Sequence, residues 1–260
     1  MLFIWQSEEI MNITDIKKKF AEASLEQLSD LIAEYEPDER DGVQKLVKAA
    51  KKKIEAHEKE IARSYKMFAF ERKYADNPYI CGIDEVGRGP LAGPVVAAAV
   101  ILSKNCDILY LNDSKQLSEK KREELFDEIM EKAVAVGIGM ADEKVIDEIN
   151  ILNADYEAMK QAISKLSVTP DILLNDAVTI PGVDIPQIPI IKGDTLSGSI
   201  AAASIIAKVT RDKLMVEYDS IYSGYEFAKN KGYGSQSHIE ALKKLGPCPI
   251  HRKSFIKNFV

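Results

Sequence analysis

The spacing of hydrophobic positions changes once along the chain, from a purely helical pattern to a mixed one. In the first part, apolar side chains such as Ile16 and Phe20 recur at roughly helical spacing among many charged residues. Pro37 interrupts this pattern, and a second helical pattern follows over residues 41–74. The pattern therefore predicts that residues 1–74 form a helical hairpin appended to a separate main domain.

The rest of the chain, residues 77–260, alternates short apolar runs with helical segments. Five runs are typical of strands, at residues 79–86, 95–102, 133–140, 172–174 and 190–191. The first three occur in near succession, which favours antiparallel neighbours, whereas helices separate the later ones, which favours parallel crossovers. We therefore expect an α/β domain with a mixed five-stranded sheet flanked by helices.

Two adjacent carboxylates, Asp84 and Glu85, interrupt the first of these runs. Gly87, Arg88 and Gly89 follow at once, so the backbone opens just where the charges lie. Acids buried in a strand cost several kcal/mol unless they are paired or bind a cation. Because side chains alternate along a strand, the two acids point to opposite faces, and a bulge or the strand end must bring them to one site.

Two further acids are candidate partners of this pair. Asp176 follows a short apolar strand, at the end where α/β sheets place their ligands, and Asp194 lies just before a long helix. Four carboxylates without a nearby histidine or cysteine favour Mg²⁺ or Mn²⁺ over zinc. Such clusters serve two-metal phosphoryl transfer, in which we expect Asp84 to bridge the two ions.

Each of the added acids also has a purely structural interpretation. Asp176 fits a turn at a strand end, and Asp194 fits a helix cap or a turn. Asp212 is the main rival of Asp194, although we interpret it as an ion-pair partner of Arg211. His238 is interpreted, like His251, as a surface residue and not as a catalytic base.

Overall composition limits the compartment more than the function. The formal net charge is −6 with a pI near 5.3, which does not favour a nucleic-acid binder but does not exclude one, because phosphate binding needs only a local basic surface. Three scattered cysteines, Cys81, Cys106 and Cys248, fit a reducing compartment. No run approaches the roughly 20 apolar residues of a membrane span, and residues 1–5 are too short for a signal peptide. We expect a cytoplasmic protein.

A basic run lies in the second predicted helix. It has two competing interpretations, a solvated helix face and a surface that follows nucleic-acid phosphates. Its members are Lys45, Lys48, Lys51, Lys52 and Lys53.

Several ordered motifs of the main domain resemble one family. Residues 82–94, GIDEVGRGPLAGP, resemble the motif that marks bacterial ribonuclease HII, and DSKQLS at 113–118 resembles a second motif of that family. KGD at 192–194 with SIAAASIIAKVTRD at 199–212 resembles its long-helix motif, and KGYG at 231–234 its tyrosine motif. The resemblance covers residues 77–255. Asn175 departs from it mildly, because the family more often has an apolar residue there.

The resemblance implies a ribonuclease H-like fold and a Mg²⁺- or Mn²⁺-dependent endonuclease. This family cuts the RNA strand of RNA·DNA hybrids and cuts 5′ of single ribonucleotides embedded in duplex DNA, leaving a 3′-hydroxyl and a 5′-phosphate. It implies roles in ribonucleotide removal and in RNA primer processing during replication and repair. We expect these nucleic acids as partners, no membrane, and a monomer.

The same resemblance implies roles for individual residues. The metal-binding and catalytic acids are Asp84, Glu85, Asp176 and Asp194. Gly87, Arg88 and Gly89 contact the ribonucleotide 2′-hydroxyl and the flanking phosphates, and Tyr233 lies against the ribose at the RNA-to-DNA junction. Lys115 and Lys192 are candidate phosphate contacts.

Three alternatives stay open on the sequence. Ribonuclease HIII has a sheet-containing N-terminal extension, whereas residues 1–74 carry no strand pattern. A nucleic-acid-binding module without catalysis is favoured if one of the four acids is missing, and none is. A metal-dependent phosphatase would lack the arginine loop and the tyrosine motif.

Overall fold

The computed structural model describes residues 11–260, so the prediction made for residues 1–5 lies outside the described part. The chain divides into two compact units between Arg63 and Ser64. Its helices are α1 (Ile13–Glu22), α2 (Leu25–Tyr35), α3 (Asp41–Met67), α4 (Ala69–Lys73), α5 (Glu119–Lys132), α6 (Glu143–Ser164), α7 (Gly193–Leu196), α8 (Gly198–Ile221), α9 (Phe227–Asn230), α10 (Gln236–Leu245) and α11 (Lys253–Ile256). Its strands are β1 (Ile80–Val86), β2 (Val95–Ile101), β3 (Ala135–Ala141), β4 (Ile172–Asp176) and β5 (Gln187–Ile190).

The first unit is helical, as predicted, but the first predicted helix is two helices. Ser24 ends the first by capping the second: its hydroxyl accepts from the Gln27 amide, and the Gln27 side chain accepts from the Ser24 amide. This reciprocal pair satisfies two donors that the start of α2 leaves free. Ile16, Phe20 and Leu28 pack together in the unit's own core.

The second unit contains the predicted mixed sheet, in the strand order β3-β2-β1-β4-β5. β1 lies at the centre, antiparallel to β2 and parallel to β4. On one face, α5 and α8 cover a core that includes Val96, Ala98 and Val100. On the other face, α6 covers Ala97 and Ala99. Both faces of β2 are therefore buried, which explains its uninterrupted apolar run.

The fifth strand differs from the prediction. β5 occupies Gln187–Ile190, so only its last residue falls in the predicted run at 190–191. Pro189 pairs with Asn175 on β4. A proline is tolerated here because β5 is an edge strand, where a missing amide donor costs no ladder bond.

The long helix α6 is broken near residue 150. Asn150 has φ 67°, and its side chain accepts from the amides of Leu152 and Asn153, so α6 consists of two halves joined at a kink. Within residues 11–260, no helix is both long and apolar enough to cross a membrane.

Candidate active site

The ends of two neighbouring strands bring the predicted acids together. Because β1 and β4 are parallel, their carboxyl ends lie at the same edge of the sheet. Asp84 and Glu85 lie near the end of β1, and Asp176 is the last residue of β4. Asp194 is the second residue of α7, the short helix that follows β5. Open α/β sheets place their sites at this edge.

The strand end, and not a bulge, lets both acids of β1 reach this edge. The pairing of β1 with β2 is continuous from Cys81 to Val86, with Asp84 opposite Ala98 and Glu85 opposite Ala97. Asp84 therefore points to the α8 side of the sheet and Glu85 to the α6 side. The pairing of β1 with β4 stops at Ile83, so β4 does not extend beside the two acids.

Like charges crowd this edge of the sheet. Burial, followed by the charges of Glu85 and Asp176, raises the pKa of Asp84 well above its ordinary value. Burial, followed by the charges of Asp113 and Asp176, raises the pKa of Asp194 to about 6. Glu85 and Asp176 therefore lie within electrostatic reach of Asp84, and Asp113 and Asp176 within reach of Asp194, so a cation would relieve the repulsion.

Three of the four carboxylates are nevertheless turned towards a donor of the protein. Asp84 Oδ1 accepts from the Glu85 amide at 2.8 Å, and Asp176 Oδ1 accepts from the Gly193 amide at 2.7 Å. Glu85 Oε1 lies 3.6 Å from Arg88 Nη1. Over the described residues 11–260, no three histidine, cysteine or acidic side chains form a group ready to hold a metal ion. The all-oxygen donor set fits Mg²⁺ or Mn²⁺, while the oxygens in this conformation do not yet form a coordination shell.

The glycine-flanked loop lies directly beside the predicted tyrosine. Gly87 has φ 95°, and a Cβ there would meet Arg211 Nε at 2.3 Å, so only glycine fits. A Cβ at Gly89 would lie 4.0 Å from Tyr233 Cε1, which places the tyrosine ring against the loop. The side chain of Arg88 is 43% exposed, and Tyr233 as a whole residue is also 43% exposed. Both residues are therefore accessible at this surface.

Lys115, one of the two predicted lysines, lies within electrostatic reach of the acids. Burial acts to lower the pKa of Lys115, but the charges of Asp113, Asp84 and Asp194 outweigh burial and raise it. Lys192 is exposed, and its backbone adopts the left-handed conformation with φ 58°. The next residue, Gly193, donates its amide to the Asp176 carboxylate.

Asp212, the rival of Asp194, pairs with a different residue from the one predicted. Lys208 Nζ lies 2.8 Å from Asp212 on the same helix. The predicted pairing of Arg211 with Asp212 is wrong, because the Arg211 guanidinium donates to the backbone carbonyls of Pro94, Lys231 and Ala92. These carbonyls lie far away in the sequence, so nothing local predicts the pairing.

The sequence interpretation missed two acids at this edge. Asp113 belongs to the DSKQLS motif and neighbours Asp194. Asp155 on α6 is fully buried, and neither of its oxygens has a hydrogen-bond partner among residues 11–260. Its nearest cation is Arg88, whose Nε lies 3.6 Å away. Burial, followed by the charge of Glu85, raises the pKa of Asp155 to about 8. An acid on the apolar face of an amphipathic helix is the signal that could have revealed it.

Comparisons with known proteins identify the family of this chain. The model of the ribonuclease HII family matches residues 81–258, and the model of the ribonuclease HII N-terminal domain matches residues 12–75. The chain belongs to the ribonuclease HII family. It is 67% identical over 224 residues to a ribonuclease HII of Lachnoclostridium phytofermentans, covering 86% of this chain and 88% of that protein. It is 51% identical over 251 residues to a ribonuclease HII of Clostridioides difficile, covering 96% and 98%.

Solved structures agree with the family's fold. Ribonuclease H2 of Pyrococcus horikoshii matches with a TM-score of 0.56 and 28% identity, over 68% of this chain and 93% of that one. The ribonuclease HII of Archaeoglobus fulgidus, solved in a complex with PCNA, matches with a TM-score of 0.57 and 26% identity, over 67% and 94%. A Mn²⁺ complex of Bst-RNase HIII, 18% identical with a TM-score of 0.51 over 64% of this chain and 61% of that one, shows the shared fold alone.

Family membership confirms the predicted enzyme class. As a ribonuclease HII, the chain is a metal-dependent endonuclease of the ribonuclease H type, a class that acts on RNA·DNA hybrids. Both family models belong to ribonuclease HII, which favours this family over ribonuclease HIII.

Proposed function

We propose that this ribonuclease HII cuts the RNA strand of RNA·DNA hybrids and cuts 5′ of single ribonucleotides embedded in duplex DNA. The reaction breaks the bond between phosphorus and the 3′-oxygen of the preceding nucleotide, while a water oxygen bonds to phosphorus. The products are a 3′-hydroxyl and a 5′-phosphate. The observation that supports this proposal most directly is that Asp84, Asp194 and Tyr233 all lie within electrostatic reach of Lys115, while the Tyr233 ring lies against the glycine loop at Gly89.

We assign the binding of divalent cations to Asp84, Glu85, Asp176 and Asp194. Asp84 is 6% exposed and lies within electrostatic reach of Glu85 and Asp176, and Asp176 in turn lies within reach of Asp194. Two bound Mg²⁺ or Mn²⁺ ions would lower the pKa of the attacking water and neutralise the departing 3′-oxygen. The protein's own contribution is to hold three of the carboxylates near rigid strand ends and Asp194 on the short helix α7, and to keep Asp84 out of bulk water.

The recognition of the ribonucleotide is assigned to the loop and the tyrosine. Gly87 and Gly89 allow main-chain groups close to the sugar, where a 2′-hydroxyl distinguishes RNA from DNA. Arg88 can bind a flanking phosphate, and the Tyr233 ring can pack on the deoxyribose that follows the ribonucleotide. Lys115 and Lys192 add positive charge near the acids for the scissile and neighbouring phosphates.

One cleavage experiment tests the proposal. The full chain is incubated with Mg²⁺ or Mn²⁺ and an end-labelled duplex that carries one ribonucleotide, and the products are mapped at single-nucleotide resolution. We expect a cut 5′ of the ribonucleotide and no cut in an all-DNA duplex. Asp84→Asn should lower the rate by roughly a hundredfold to ten-thousandfold, since a cation stabilises the transition state by several kcal/mol.

A matched control variant distinguishes the loss of the cation site from a general loss of stability. Asp171 lies just before the opposite end of β4, where its carboxylate accepts from the Tyr79 amide at 2.8 Å. Asp171→Asn should keep both cleavage and Mn²⁺ binding measured by calorimetry, whereas Asp84→Asn should lose both. Full activity in Asp84→Asn, or cleavage elsewhere in the duplex, contradicts the proposal.

The proposed activity suggests a cellular role and a compartment for the enzyme. We propose that it removes misincorporated ribonucleotides and processes RNA primers during replication and repair in the cytoplasm. The free thiols of Cys81, Cys106 and Cys248 suit such a reducing compartment. One chain supplies the acids, the loop and the tyrosine, which supports a monomer as the active form.

A further inference from the structure

Two buried side chains near the C-terminus connect to the two halves of the proposed ribose-recognition site, one directly and one through His238. His251 and Arg252 are adjacent in the sequence, and they are 2% and 0% exposed. The backbone of this segment is paired to the glycine loop, since Ala92 forms a bridge with His251 and the Arg252 amide donates to Leu91 O at 2.9 Å. The interpretation of His251 and His238 as surface residues is therefore wrong.

Arg252 holds the loop that carries Arg88. Its guanidinium donates to Gly87 O at 2.6 Å, to Arg88 O at 2.9 Å and to Gly93 O at 2.7 Å. No carboxylate forms a salt bridge with it among residues 11–260. A buried cation is tolerated here because several carbonyl oxygens replace its water. The cation thus fixes the backbone of residues 87–93 at three points.

His251 connects to the tyrosine loop through His238. Tyr233 O can only accept, so His238 Nδ1, at 2.9 Å from it, carries the proton. In a neutral His238, Nε2 is then the acceptor, and His251 Nε2, 3.0 Å away, is the donor. His251 Nδ1 is left as an acceptor for the Cys248 amide at 2.9 Å. The hydrogen bonds therefore run in one direction, from Cys248 through both imidazoles to the Tyr233 carbonyl.

The surroundings of the pair support two neutral imidazoles. His238 is fully buried, and the rings of Tyr225 and Phe227 pack against it and against His251. Burial, followed by the neighbouring His238, lowers the pKa of His251 to about 4. Burial likewise lowers the pKa of His238. A neutral pair needs no counter-ion, and the order of donors and acceptors is then unique.

We infer that His251 and Arg252 are positioning residues that set the tyrosine loop and the glycine loop relative to each other, and so determine how tightly a ribonucleotide is recognised. The inference rests on the proposed function, because it assigns substrate recognition to Tyr233 and to residues 87–89. Neither residue touches the substrate in this scheme. His251 acts through His238 on Tyr233, and Arg252 acts on the carbonyls of the loop.

The test compares two substitutions at position 251 in the full chain. His251→Leu removes both hydrogen bonds of the ring, whereas His251→Gln keeps one donor and one acceptor. For the duplex with one ribonucleotide, we expect His251→Leu to raise KM about tenfold with a change in kcat below about threefold, because a broken buried hydrogen bond displaces the loop. His251→Gln should restore KM to within about threefold of the wild type.

A double-mutant cycle shows whether the effect passes through the tyrosine. In a Tyr233→Ala background, His251→Leu should change KM by less than about twofold, since the ring it positions is gone. Leu125→Ala, in the core under α5, is the control for lost stability and should leave KM unchanged. An unchanged KM in His251→Leu, or an equal rise in the Tyr233→Ala background, overturns the inference.

Amide hydrogen exchange keeps this test independent of cleavage. The Ser235 amide donates to Tyr233 O at 2.8 Å, so a released tyrosine loop should exchange faster there. We expect about tenfold faster exchange over residues 232–236 in His251→Leu, and over residues 87–93 in Arg252→Lys. Unchanged exchange in both variants refutes the positioning role. A wild type that cuts neither duplex refutes the proposed function instead.

Discussion

Two aspartates compete for the fourth position of the proposed cation site, and their surroundings separate them. Asp194 is 8% exposed and lies within the electrostatic reach of Asp176 and Asp113. Asp212 is paired with Lys208 at 2.8 Å, well along α8. A carboxylate already neutralised by a lysine is a poor candidate ligand, whereas one crowded by other carboxylates gains from a cation.

This difference predicts opposite results for the two amide variants. Asp194→Asn should lower the cleavage rate by roughly a hundredfold or more and weaken Mn²⁺ binding, because one anionic ligand is lost. Asp212→Asn should keep both properties and lose about 1 kcal/mol of stability from the ion pair. Calorimetric titration with Mn²⁺, together with cleavage rates, measures both. A loss of Mn²⁺ binding in Asp212→Asn alone would reverse the assignment.

Among single residues, the sequence predicts the acids of the site but not the buried arginines and histidines that bind the backbone around it. Asp84 and Glu85 stand out because they interrupt an apolar strand, and Asp176 because it ends one. Arg211 and Arg252 donate mainly to carbonyls more than 100 positions away, and a backbone carbonyl leaves no mark in the side-chain pattern. His238 and His251 bind each other and backbone groups, so no charged neighbour reveals them.

At the scale of elements, the long helix α8 depends on a short helix that precedes the sheet. Glu71 on α4 accepts from the Ser197 hydroxyl at 2.5 Å and from the Ser199 amide at 2.9 Å. Phe68 packs against Gly198, where a Cβ would lie 2.3 Å from the ring. The carboxylate therefore satisfies free donors at the start of α8, only a few residues after Asp194.

We expect Glu71 to stabilise this helix start measurably. Glu71→Ala should lower the free energy of unfolding by about 1–3 kcal/mol, because it leaves buried donors unsatisfied. Glu71→Gln keeps one acceptor oxygen and should lose less. Urea denaturation followed by circular dichroism measures the difference. Glu131→Ala, at an exposed position on α5, is the matched control, and equal losses in Glu71→Ala and Glu131→Ala would contradict this role.

The bounds of the helices and strands follow the hydrophobic pattern closely, except where a helix cap or the edge of the sheet determines them. The strands β1 to β4 fall within a few residues of the predicted runs, because their apolar sequences fit one buried sheet. The start of α2 was missed because Ser24 and Gln27 act through a capping box, which the hydrophobic spacing does not show. β5 was misplaced because proline is unfavourable in most strands but tolerated at an edge.

For the whole molecule, the effect of deleting the N-terminal unit depends on the residue at which the deletion ends. The division between compact units falls between Arg63 and Ser64, whereas the predicted boundary at residue 74 stays a prediction. A deletion of residues 1–74 removes Phe68 and Glu71 together with the first unit, so it would also destabilise α8. Substitutions in the full chain avoid this confusion.

The lysine run of α3 provides such substitutions. Its lysines are exposed, and of the five only Lys51 has an ion-pair partner among residues 11–260, Glu36 at 2.5 Å. Four lysines thus remain available for phosphates. We expect the combined change of these lysines to glutamine to raise the Kd for an RNA·DNA hybrid and to flatten its dependence on salt, since each lost phosphate contact reduces the slope of log Kd against log [salt] by about 0.9. The four residues are Lys45, Lys48, Lys52 and Lys53.

The control for this prediction is a second pair of exposed lysines in the same unit. Lys17→Gln with Lys18→Gln changes the net charge on α1 but leaves the run on α3 intact. Fluorescence anisotropy with a labelled hybrid at several salt concentrations compares the two variants with the wild type. A weaker affinity and a flatter slope only in the α3 variant mean that α3 carries a phosphate-binding surface. Equal slopes in all three proteins mean that the run is a solvated helix face, and the binding charge then lies outside the substituted lysines.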